Sequence, residues 1–181
     1  VLGKGLERGR KLGKVKTGTG HDNFLKGIIV QFDLKYTQYF TPQLQRYGWI
    51  DPISSQSKMH RLTRNDNIIE NCNEYTLKHV TEVVDVLINA YNTFDFDASD
   101  CLIYGKVIKT KEEMYMYVLS NCPLGYELWM GITTNYLQLK TIKQQRRTHK
   151  LKEWGSLCEW IDTLPHFVEL TNKNYLPVKA K

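Results

Sequence analysis

The chain lacks any run approaching 18 consecutive apolar residues, so its sequence reads as having no membrane-spanning helix. Its basic N-terminus has no apolar stretch behind it and is not read as a secretory signal. The four cysteines, Cys72, Cys101, Cys122 and Cys158, lie far apart and form no CxxC pair. That spacing suits neither zinc nor a disulfide framework, and it fits reduced thiols in a cytoplasmic protein. None sits in a motif that would mark a nucleophile. His21, His60, His79, His149 and His166 make no HxH or HExxH arrangement, so no metal is expected. Asp95, Asp97 and Asp100 lack the glycine and closing glutamate of a calcium loop and read as a helix-ending turn. No GxxxxGK[ST], GxGxxG or GxSxG is completed, which leaves neither a phosphate loop nor a nucleophile elbow. Chemistry would then depend on a bound cofactor.

What is present suits one globular domain: 181 residues, 41% hydrophobic and 12% aromatic. The expected organisation is a basic arm over residues 1–17, a single domain over 18–170 and a tail over 171–181. Net charge is +6, but Lys4, Arg8, Arg10, Lys11, Lys14 and Lys16 against Glu7 place nearly all of it in the arm. A nucleic-acid footprint would spread over a face, so a nucleic-acid partner is not favoured. Two readings stand for the arm. One is a flexible, solvated terminus loosened by Gly3, Gly5, Gly9 and Gly13; the other is an arm reaching a phosphate or a neighbouring subunit.

Along the chain, Thr17-Gly18-Thr19-Gly20-His21-Asp22 reads as a loop whose glycines permit unusual backbone angles. Residues 27–36 read as a strand with Ile28, Val30, Phe32 and Leu34 on one face. Thr41-Pro42 reads as a helix entry, and 53–63 as a polar segment. A long helix is expected over about 74–94, with Val80, Val83, Leu87, Tyr91 and Phe94 as its stripe, widened by Val84 and Ile88. A short helix follows at 111–119, a strand at 126–133, and helices at 135–147 and 151–164. The last of these carries Leu151, Trp154, Leu157, Cys158 and Ile161 on one face. The order strand, helices, strand, helices suits an α+β fold.

Two stretches could carry chemistry. Residues 36–64 hold Gln43, Gln45, Arg46, Ser54, Ser55, Gln56, Ser57, Lys58, His60, Arg61 and Arg64, with no carboxylate between Asp51 and Asp66. Arginine forks and hydroxyls answer phosphate oxygens, so this is an anion site or else a solvated connection. The second runs from Thr133, Thr134 and Asn135 through Lys140, Lys143, Arg146, Arg147, His149, Lys150 and Lys152, with no acid until Glu153. Its repulsion would stay unrelieved unless an anion lies nearby; the alternative is a solvated helix face capped by Asn135.

Together these pieces resemble the flavin-dependent thymidylate synthase family. That family has a Gly-His, a strand, a helix carrying Gln-x-x-Arg-His-Arg, and a serine-rich loop with an arginine. Here Gly20-His21, the strand over 28–34, Gln43-Leu44-Gln45-Arg46-Tyr47-Gly48 and Ser54-Ser55-Gln56-Ser57-Lys58-Met59-His60-Arg61 follow in that order. Thr134-Asn135, then Arg146 and His149, resemble its substrate helix. Tyr47 and Gly48 stand where His and Arg are expected, Ser54 or Ser55 where an acid is, and Lys26 where a carboxylate is. The Gln-Glu-Ile-Arg stretch, near Trp154, is not retained. The resemblance therefore implies the fold and a nucleotide pocket more than the reaction.

By that resemblance the fold is a small, mainly antiparallel sheet flanked by helices, like the thymidylate-synthase-complementing proteins. The protein would bind a pyrimidine nucleotide and transfer a one-carbon unit to dUMP as a methyltransferase, with FAD, methylenetetrahydrofolate and NADPH, in a homotetramer. Arg146 and Ser57 would be catalytic, and His21, Gln43, Arg46 and Asn135 would hold the cofactor. Ser54, Ser55, Lys58, His60, Arg61, Arg146, Arg147 and His149 would hold the substrate. The rivals are a non-catalytic relative that binds or sequesters a nucleotide, and a nucleic-acid-binding module.

Overall fold

In the computed structural model the chain is described over residues 2–64 and 67–173, so the expected tail lies outside the described residues from position 174 onward. The elements in chain order are α1 (Leu2–Gly13), β1 (Ile29–Thr37), α2 (Thr41–Leu44), β2 (Asp51–Ser55), α3 (Lys58–Leu62), α4 (Lys78–Thr93), β3 (Cys101–Ile103), β4 (Lys106–Ile108), α5 (Lys111–Asn121), β5 (Glu127–Asn135), α6 (Tyr136–Arg146), α7 (Lys152–Thr163) and α8 (Phe167–Thr171). Short 3-10 turns cover Asn23–Gly27 and Ile68–Asn71. Helices and two small sheets make the expected α+β fold. Contacts cluster in two compact units. One is Val1–Phe32, Leu44–Ile53 and Gly131–Lys181; the other is Asp33–Gln43 and Ser54–Met130.

The three-stranded sheet has the order β1-β5-β2. Gln31 bonds to Thr133 and Lys35 pairs with Glu127, so numbers fall on β5 as they rise on β1, which is antiparallel pairing. On β1, half-buried Val30, Phe32 and Leu34 alternate with exposed neighbours, as period two requires. The polar segment expected at 53–63 holds the exposed end of β2 followed by α3. Pro52 can sit in β2 because that strand is an edge of the sheet. β3 and β4 form an antiparallel hairpin with Cys101 opposite Ile108. It turns at Tyr104 and Gly105, both at positive φ, 47° and 73°. Such turns favour Asn or Gly first, so a tyrosine there hides the hairpin from a sequence reading.

In the first unit, residues 2–13 form a helix packed against α8, where a loosened arm was one expectation. Gly9 and Gly13, one turn apart, make a flat strip rather than a hinge. Leu170 and Phe24 lie against it, and the Leu170 carbonyl occupies the space that a Cβ on Gly13 would need. Arg10 pairs with Glu169, which also meets His166 Nδ1 at 2.6 Å. We expect Gly13→Ala to cost about 1–3 kcal/mol through overpacking in urea unfolding. Gly5, with nothing near its missing Cβ, should gain about 0.5–1 kcal/mol as alanine. Equal effects at the two positions would refute this packing. On α7, Trp154, Leu157, Cys158 and Ile161 are buried, as their spacing predicts.

In the second unit, α4 packs against α5. Its buried face is Thr81, Val84, Leu87 and Ile88, whereas Val80, expected in the stripe, is 44% exposed. Apolar residues at 80, 83, 84, 86, 87 and 88 surround much of the helix, so periodicity alone misplaces its centre. At the start of α5, Thr110 Oγ1 accepts from Glu113 N at 3.1 Å. The Glu113 carboxylate accepts from Lys109 N at 3.0 Å, a reciprocal arrangement that ends the preceding strand cleanly.

Candidate functional site

In the first unit Asn135 caps the N-terminus of α6, its Oδ1 accepting from Gln138 N at 3.0 Å. The amide expected to hold a cofactor is thus engaged as a helix cap. The basic run that follows is not left unrelieved, contrary to the sequence expectation. Lys140, 3% exposed, reaches Asp22 Oδ2 at 2.7 Å and the Val15 carbonyl at 2.7 Å. Lys143 pairs with Asp162 of α7. Both acids come from outside the run, which is why local sequence did not reveal them. Burial pulls the Lys143 ammonium below its usual pKa; Arg147 adds to this and Cys158 opposes it.

Arg146 closes α6 and is held differently. Its Nε donates to Tyr47 Oη at 2.7 Å. Its Cζ lies 4.9 Å from the Trp154 ring centre and 5.6 Å from that of Tyr47. Tyr47 Oη in turn donates to Gln145 Oε1 at 3.0 Å. Two aromatic rings within cation–π reach and one hydrogen bond hold the guanidinium in place. Among the described residues no carboxylate pairs with Arg146. His149 Nδ1 accepts from Leu151 N at 3.1 Å, and its ring meets Trp154 edge-on at 6.3 Å. That bond places the proton of a neutral ring on Nε2. The result is a half-buried cation on a rigid aromatic platform, suited to an anion or a polar base edge.

The same unit has a cavity of about 260 Å³ lined by Thr17, Gly18, Asn23, Trp49, Asn135 and Gln138 among others. Gly18 and Gly20 have φ of 94° and 81°, the angles their loop was expected to need. His21, Arg46 and Arg147 are exposed in this unit. Gln43, Ser54, Ser55, Ser57, Lys58, His60 and Arg61 belong to the other unit. There Ser54 and Ser55 are exposed on β2, Ser57 precedes α3 without a side-chain cap bond, and Lys58 Nζ donates to Gln38 Oε1 at 3.0 Å. His60 and Arg61 are exposed.

The structure thus gathers Tyr47, Gln145, Arg146, His149 and Trp154. Sequence reasoning named Arg146 and His149 but missed the roles of Tyr47, Trp154 and Asp22. The available signal was Trp154, an aromatic eight residues after Arg146 on the buried face of α7. Desolvation by burial pushes the Cys72 thiol to about 11, so it stays protonated at neutral pH. Among the described residues no group of three or more His, Cys, Asp or Glu could hold a metal, and no helix is long and apolar enough to cross a membrane.

No protein-family model and no curated protein matches the chain. Solved structures do. A structure of thymidylate synthase X (ThyX) from Helicobacter pylori with FAD and dUMP aligns with a TM-score of 0.61 and 15% identity, covering 92% of this chain and 80% of that one. A second structure of the flavin-dependent thymidylate synthase ThyX from the same organism, complexed with FAD and dUMP, gives 0.65 and 16%, covering 96% and 84%. The α+β fold of this chain is therefore ThyX-like.

Proposed function

We propose that the chain binds a pyrimidine nucleotide on the first unit, with Arg146 as the residue that meets its phosphate or ring oxygens. The observation that carries this is the guanidinium held by Tyr47 and Trp154 with only Nε engaged. Such preorganisation lowers the ordering cost of binding an anion. The residues present bear on the flavin that the ThyX structures contain. Asn135 Oδ1 is engaged as a cap, Tyr47 is buried at 8% exposure on Arg146, and the cavity beside Asn135, which includes none of the residues around Arg146, is about 260 Å³. Ligand pockets usually span about 300–1,000 Å³. These residues fit a base or a phosphate rather than a whole flavin dinucleotide, so no step is derived through FAD. The function favoured is nucleotide binding or sequestering without flavin chemistry.

The second reading is one-carbon transfer to dUMP with FAD, methylenetetrahydrofolate and NADPH. It is supported by the fold's likeness to ThyX structures that contain FAD and dUMP, and it would require a homotetramer that completes the flavin seat. A spectrum of the protein as isolated, with light scattering for its mass, separates the two. A colourless protein whose Tm rises with dUMP supports the first, since a ligand specific for the folded state stabilises it by mass action. A yellow tetramer replaces the first with the second. Arg146→Ala should weaken dUMP binding by roughly 1.5–3 kcal/mol, the worth of a charged hydrogen bond. Unchanged affinity in calorimetry removes Arg146 from the site.

A further inference from the structure

We propose that the second unit carries a separate site for an aromatic anion, a flat ring bearing a carboxylate or a phosphate, in the cavity walled by α3, α4 and α5. The cavity measures about 630 Å³, within the range of about 300–1,000 Å³ typical of small-molecule sites. It lies wholly among residues of that unit and uses none of the Arg146 platform, so it does not rest on the nucleotide reading.

The chemistry of the walls selects the ligand. Met59 and Met116 stand at the cavity, 55% and 54% exposed, and thioethers pack well on ring edges. Tyr91 and Tyr115 supply two aromatic surfaces, their centres 5.8 Å apart and tilted by 56°. Lys111 Nζ sits 4.9 Å from the Tyr91 ring centre, and among the described residues it makes no ion pair. Arg64 adds to this cationic side, with His60 also in the lining, against Glu112 as the single carboxylate there. Exposed methionines and a lysine parked on an aromatic ring leave apolar surface and positive charge side by side. A ring with an anionic group satisfies both; an aliphatic anion or a neutral ring satisfies only one.

Tyr115 is a second, independent observation. Its Oη is sealed from solvent and has no hydrogen-bond partner among the described residues. A buried donor left unmade is costly, and such groups are rare in folded proteins. Burial holds this phenol protonated, so it remains a donor. A small ring adjustment would let an acceptor in the cavity take up that bond. His60, expected from the family resemblance to hold the substrate, lies on this wall.

The test uses full-length protein labelled at its methionine methyl groups, four in all: Met59, Met114, Met116 and Met130. The probes are 2-naphthoate, 1-naphthyl phosphate and neutral 2-naphthol. The expected result is saturable ring-current shifts of Met59 and Met116 with one or both anions, while Met130, buried on β5, stays in place. Which anion binds more tightly identifies the anionic group. Affinity should fall at least fivefold in Lys111→Ala and be at least fivefold lower for 2-naphthol. Tyr115→Phe should raise the Tm of the free protein and reduce the ligand-induced rise. Arg146→Ala should leave the naphthyl titrations unchanged even if it abolishes dUMP binding, which separates the two proposals. Unmoved Met59 and Met116 at millimolar probe, equal binding of 2-naphthol, or full affinity in both Lys111→Ala and Tyr115→Phe overturns the site.

Discussion

Replacing Asp22 with alanine is expected to destabilise the protein by about 3–5 kcal/mol, the usual loss when one partner of a buried ion pair is removed. Asp22 and Lys140 have side chains only 1% and 3% exposed and meet at 2.7 Å. Without the carboxylate, the ammonium keeps only the Val15 carbonyl as a described partner and cannot regain water. Asp22 also opens the 3-10 turn Asn23–Gly27, where its carbonyl accepts from Leu25 N at 3.0 Å. The pair therefore ties the glycine loop to α6, and with it the wall of the cavity beside Asn135. Urea unfolding measures the loss. The double variant Asp22→Leu with Lys140→Met should recover most of it, because an apolar pair often substitutes for a buried ionic one without net cost. A loss below about 1 kcal/mol for Asp22→Ala would mean that water reaches the pair.

Trp154→Ala should cost a similar amount, about 3–5 kcal/mol, for a different reason. Trp154 is fully buried and is among the largest side chains in the core. Its removal leaves a void beneath Arg146 and withdraws one of the two rings that orient the guanidinium. Stability and dUMP affinity should therefore fall together, whereas Arg146→Ala should lower affinity with little change in stability. Trp154→Phe keeps an aromatic face and should lose less of both. Unfolding curves and calorimetry on the three variants make the comparison. Full nucleotide affinity in folded Trp154→Ala would show that the platform does not position Arg146.

Several elements were legible because their signal is local. The alternation of Val30, Phe32 and Leu34 and the helical spacing of Trp154, Leu157, Cys158 and Ile161 follow from which residues share a face. Asn135 was open to reading as a cap because a cap bonds within three residues. The ordered resemblance pointed to the fold, and the likeness to ThyX structures agrees with it. Other elements misled for equally physical reasons. Four glycines among cationic residues read as looseness, yet two of them provide the close approach of α1 to α8. Tyr104 hides a hairpin turn because few sequences place a tyrosine at positive φ.

What the sequence by itself determined is the class of fold, the faces of β1 and α7, and the identity of Arg146 as a cation worth watching. The tertiary structure alone decided what each charge meets. Lys140 finds Asp22 across 118 positions, and Arg146 finds Tyr47 across 99. Periodicity is a property of neighbours along a chain, and a single pass can count it. Neutralisation, stacking and burial are properties of neighbours in space, and they exist only once folding has brought distant segments into contact.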